Sequence, residues 1–134
     1  MAIWQATFEL IKEKNILDCS KKEIWKIVNE LIVFLPEEKS WCDSIRQFGK
    51  LDSTCIQMDF ENGEIFLRID LRNITKKQLD MLVNFAESNA LKIKHENTIE
   101  EPTIRNFVEI LKSTEAYRFV RNPQVYLEAI AGDS

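Results

Sequence analysis

Glycine and proline are scarce in this chain, three of each in 134 residues. That excludes collagen-like repeats and Pro/Gly-rich low complexity, which need far more of both. The glycines, Gly49, Gly63 and Gly132, stand apart from one another, so there is no Gly-rich loop to cradle a phosphate. No serine occupies a nucleophile elbow. His95 is the only histidine, and a histidine-based metal centre would have to draw its other ligands from distant parts of the chain. Cysteine is also sparse: Cys19, Cys42 and Cys55 are odd in number and show no CxxC spacing. They are expected as reduced thiols of a cytoplasmic protein. The N-terminus lacks a basic segment and Glu9 interrupts its apolar residues, so no secretory leader is expected. The longest purely apolar run, Leu31 to Leu35, falls far short of the ~20 residues that span a bilayer. Positive charge is in deficit as well, with 18 Lys and Arg against 22 Asp and Glu. Nucleic-acid binding wants a basic footprint and is not expected.

What is there begins with Cys55 to Asn73. Asn62-Gly63 between two alternating runs predicts a two-residue hairpin turn, since both positions tolerate positive φ. Such a turn sets Phe60 opposite Ile65, Met58 opposite Leu67 and Ile56 opposite Ile69 on one face. On the other face Asp59 would meet Phe66, Gln57 would meet Arg68, and Cys55 would meet Asp70. A slip of one residue would turn every apolar side chain the wrong way.

Upstream, Ile3 to Ile11 alternates, with Trp4, Ala6, Phe8 and Leu10 on one side, and reads as a half-buried strand. Ser20-Lys21-Lys22-Glu23 is a capping box. The helix it opens buries Ile24, Ile27, Val28, Leu31 and Leu35 and is expected to end at Pro36. Thr75-Lys76-Lys77-Gln78 repeats the pattern 55 positions later, with Leu79, Leu82, Val83, Ala86 and Ala90 as its stripe and Asn89 as its close. An internal repeat and simple convergence of two capped helices both account for that likeness. Leu91 to His95 reads as a further strand, and Ser44 to Phe48 as the start of a long second one, with a bulge or turn at Gly49 and Asp52-Ser53. After Pro102-Thr103 the chain turns helical through Ile104, Phe107, Val108 and Leu111, breaks at Ser113-Thr114, and restarts at Asn122-Pro123 with Tyr126, Leu127 and Ile130.

The order predicts a single α+β domain over residues 1–134: a ferredoxin-like βαββαβ antiparallel sheet with two helices on one face. Its first βαβ half covers 1–61 and its second 64–97. A C-terminal helical extension, about 103–131, packs on the sheet or its edge. An RNA-recognition variant of this plan would carry a basic, aromatic third strand, and here that strand is Glu64-Ile65-Phe66-Leu67-Arg68-Ile69-Asp70. An acylphosphatase variant needs an arginine loop after the first strand, yet no arginine precedes Arg46.

Lacking a catalytic constellation, a cofactor loop and a basic stripe, the chain is expected to be a non-catalytic protein-binding domain. The leading expectation is a small acidic inhibitor of a partner protein, in the manner of an immunity protein or antitoxin. It would need no cofactor and no metal, contact neither nucleic acid nor membrane, and be a monomer or homodimer. Candidate partner-binding residues are Asp59, Phe66, Arg68 and Asp70 on the outer hairpin face, with Glu96, Glu100 and Glu101 on an acidic rim suited to a basic partner. Should helices cover the hairpin face, Phe66 becomes core and Arg68 pairs with Asp59 or Asp70. Two alternatives stand beside this. One is a small-molecule-sensing regulatory domain that dimerises through its sheet. The other is a small enzyme using Cys55, paired with His95, or the carboxylates Asp59 and Asp70.

Overall fold

The computed structural model describes residues 2–122. Seven strands and four helices follow in the order β1 (Gln5–Lys12), α1 (Lys21–Leu31), β2 (Glu37–Glu38), β3 (Ile45–Phe48), β4 (Cys55–Asp59), β5 (Glu64–Asp70), α2 (Lys76–Ser88), β6 (Leu91–His95), β7 (Thr98–Glu100), α3 (Ile104–Lys112) and α4 (Glu115–Arg121). A short 3₁₀ turn at Ile16–Asp18 leads into α1. All strands join one antiparallel sheet in the order β2-β3-β4-β5-β1-β6-β7. The protein is therefore α+β, but four strands do not describe its sheet. The expected long second strand is instead a hairpin of β3 with β4. The two-residue β2 extends that edge, and β7 adds a strand at the other.

Alternation decides the faces. Ala6, Phe8 and Leu10 of β1 lie opposite Ile69, Leu67 and Ile65 of β5, and all six are buried. Ile56 and Met58 extend the same apolar layer through β4, and Leu91 and Ile93 through β6. Against this layer pack Ile27, Val28 and Leu31 of α1 and Leu79, Leu82, Val83 and Ala86 of α2. Burying one large aliphatic side chain is worth about 1.5–3 kcal/mol, so the two stripes are what bind helices to sheet. α3 joins the same face: the Phe107 ring meets Phe8 edge-on, with centroids 6.3 Å apart. Among the described residues of the extension, α3 thus packs on the helical side, beside α2. The helix expected after Pro123 lies outside the described residues.

Helix ends follow the side chains that satisfy them. Ser20 accepts the Glu23 amide and Glu23 accepts the Ser20 amide, a complete capping box. Thr75 and Thr103 cap α2 and α3 by accepting the amides of Gln78 and Asn106. α1 ends at Leu31, earlier than Pro36 requires, although Leu35 remains buried. Asn89 does not supply the left-handed close of α2; Ala90 does, at φ 53°. The Asn89 carboxamide is engaged elsewhere, donating to the Phe85 carbonyl and to Glu30 of α1. Its own carbonyl accepts Lys12 Nζ at 2.9 Å.

The β4–β5 register corrects the two-residue turn. Ile56 faces Leu67 and Met58 faces Ile65, with Gln57 opposite Phe66 and Cys55 opposite Arg68. Four residues, 60–63, make the connection. The reason is Asp59, whose carboxylate accepts the amides of Glu61 and Asn62 and the Asn62 carboxamide, at 2.9, 3.1 and 2.9 Å. This winds a four-residue turn in place of the two-residue one that Asn62-Gly63 alone implies, and Gly63 closes it at φ 72°. The shift is two residues, an even number, so every side chain keeps its face.

Candidate groove at the sheet end

The outer face of the sheet carries the hairpin residues singled out above, and most are occupied within the chain. Asp59 caps its own turn, and the Asn62 carboxamide is the main cause that holds its carboxyl below the usual aspartate value. Asp70 is fully buried and receives Arg72 through Nε at 3.0 Å, Nη2 at 2.8 Å and the backbone amide at 3.0 Å. The same guanidinium stacks 3.9 Å from the Trp4 ring. No ion pair joins Arg68 to Asp59 or Asp70. The register sets Arg68 against Cys55, and its Nε is buried without a hydrogen-bond partner among the described residues. Phe66 is half-buried.

The acidic rim is more open. Glu96, Glu100 and Glu101 are all exposed. Glu96 sits at φ 54° in the tight turn from β6 to β7. Glu100 lies opposite Ile93. Glu101 reaches Lys92 at 3.4 Å, while Lys94 approaches Glu9 at 4.0 Å. The rim therefore mixes both signs of charge.

Residues proposed for chemistry are kept apart. Cys55 and His95 project from opposite faces: Cys55 lies in register with Arg68, whereas the His95 ring packs edge-on to Phe8 at 5.4 Å. Burial pushes the Cys55 thiol up, away from the thiolate form. Asp59 faces Glu64 at the start of β5 and Asp70 ends that strand, a separation of about 20 Å at strand rise. Among the described residues no cluster of His, Cys, Asp and Glu has the geometry to hold a metal ion. Nor is any described helix long and apolar enough to cross a membrane.

One surface does gather residues from distant parts of the chain. Where β1 ends, a groove of about 740 Å³ opens between β6–β7, the last turn of α2 and the first of α3. Ile11, Ala90, Leu91, Ile99 and Pro102 form its apolar floor. Ile99 is 57% exposed, uncommon for a strand isoleucine. Around that floor stand Glu13, Glu87 and Glu101, against a single cation, Lys92. Glu13 and Glu87 make no ion pair among the described residues. The arrangement suits contact between this floor and apolar side chains of a partner, with carboxylates placed for cations around them.

No family model matches the chain, and no match was found among curated proteins or solved structures.

Of the residues expected to bind a partner, only Glu101 lines the groove. Glu96 and Glu100 stand nearby on the hairpin, and the hairpin-face set lies outside it. Glu13, Glu87, Ile11 and Ile99 were not singled out by sequence reasoning. One signal was available for Ile99: an isoleucine flanked by Asn97-Thr98 and Glu100-Glu101 has little reason to be there unless something covers it.

Proposed function

We propose that this chain is a non-catalytic protein-binding domain whose groove takes a basic, apolar segment of a partner protein, acting as a small acidic inhibitor. The observation that carries this reading is the groove itself, an apolar floor with Ile99 exposed and two carboxylates, Glu13 and Glu87, that make no ion pair among the described residues. Exposed apolar floors bordered by unpaired charge are the surfaces on which binding energy and orientation combine. We also read the central strands β4-β5-β1-β6 with α1 and α2 as a ferredoxin-like unit extended at both edges. In its support, these four are consecutive in the sheet, α2 joins β5 to β6 across β1, and α1 followed by β2 and β3 leads from β1 to β4 across β5.

The test is quantitative capture from source lysate by the intact chain, compared with Glu13→Lys with Glu87→Lys and, separately, with Ile99→Asp. A stoichiometric basic protein should bind the parent chain, elute as salt rises, and bind either variant roughly tenfold or more weakly. A partner retained equally by all three chains would sink the groove as its site. A preparation without partner that runs as a dimer through the sheet edge would move the reading to the sensing domain.

A further inference from the structure

We infer that a second hollow, between α1 and the β4–β5 loop, docks an acidic peptide segment of a partner through an apolar anchor. This goes beyond the basic-partner reading and does not rest on it. The hollow measures about 440 Å³. Ile16 and Val28 floor it and Phe60 and Ile24 line its sides. Trp25 and Leu17 stand on the rim, 68% and 50% exposed. Trp25 does not belong to the buried stripe of α1, which runs through Ile27, Val28 and Leu31. An indole left in water beside an apolar hollow is the kind of side chain that dominates docking energies.

Charge selects the occupant. Both carboxylates of α1 are engaged internally: Glu23 by Lys14 and the Ser20 amide, Glu30 by Lys26, Ser88 and Asn89. Across the hollow, Arg46 is held through two nitrogens by Glu37. Asp18, just before α1, is exposed and does not line the hollow. Lys21 and Lys22 remain. They form no ion pair among the described residues, and at four and three positions before Trp25 they share its side of the helix. Of the residues that line the hollow, the charged ones, Lys21 and Arg46, are both cations, so positive charge lies beside the anchor point although the whole chain is net −4. Carboxylates flanking a leucine or an aromatic ring complement that surface.

A random peptide display library selected on the full chain tests this. Peptides that depend on Trp25 are expected to be acidic with one large apolar residue. They should bind Trp25→Ala roughly 30-fold more weakly. Reversing Lys21 and Lys22 to Glu should also weaken them and remove their salt dependence. Trp25 is exposed enough that its variant should unfold at the parent temperature; if it does not, Leu17→Ser replaces it. Glu13→Lys with Glu87→Lys should leave these peptides bound, so the two readings fail separately. Neutral or basic Trp25-dependent peptides, or none at all, would overturn the inference. So would a Trp25 indole signal that shifts with protein concentration alone, which would make a second copy the occupant.

Discussion

Glu23 shows how far one side chain can be driven by its neighbours. Its carboxyl is lowered from the ordinary 4.5 to about 2, first by the hydrogen bond from Lys14 and then by the Ser20 amide. In the folded chain the proton binds less readily than in the unfolded one. The stabilisation is thus fully present above pH 4.5 and is lost as the pH falls towards 2. Both partners are solvent-accessible, so added salt should weaken the effect. A carbon-detected NMR titration of Glu23 should give a midpoint near 2 at low salt, drifting upward in high salt. A midpoint at 4.5 in low salt would remove the reciprocal cap. The capping box was legible because it needs only four consecutive residues. Arg72 was not read as the partner of Asp70: residues two apart on a strand share a face, but β5 ends at Asp70, and beyond a strand end no periodicity says where a guanidinium turns.

At the scale of elements, turns were the weak point and faces the strong one. The alternation of Ile65, Leu67 and Ile69 against Ile56 and Met58 assigns the buried side at any even register. The register itself belongs to the loop, and there Asp59 outweighs Asn62-Gly63. Strand β7 escaped notice because Thr-Ile-Glu is too short to show a period. Two glycines offer a graded test of loop geometry. Gly63→Ala places a methyl in the left-handed region and against the Asn15 side-chain carboxamide. It should cost about 1–2 kcal/mol, part of it recovered by also shortening Asn15 to Ser. Gly49→Ala drives its methyl into the Thr54 carbonyl, which is backbone and cannot swing aside. It should cost more than Gly63→Ala in urea-unfolding midpoints. Equal costs would mean the Gly49 loop is free to shift.

For the whole molecule the question is whether α3 folds with the sheet or merely rests on it. Phe107 is fully buried against Phe8, a residue of the central strand β1. Phe107→Ala should therefore cost about 3–5 kcal/mol and keep a single unfolding transition seen alike by circular dichroism and tryptophan fluorescence. Two transitions, or a cost under about 1 kcal/mol, would make α3 an appendage. The same long-range assembly explains why the groove was hard to foresee. Ile11, Glu87 and Ile99 come from β1, α2 and β7, and only the sheet order brings them together. Local periodicity says which face a residue takes, not which other element that face will border.

The burial of Cys55 has an experimental use. Its sulfur is shut inside the sheet on β4, while Cys19 and Cys42 are half-exposed. An alkylating reagent would mark the two outer thiols at once and reach the third only through molecules that have come apart. With the outer pair replaced by serine, the slow labelling of one atom becomes a clock for native-state opening, able to register a tightly bound partner as a lengthening of its interval.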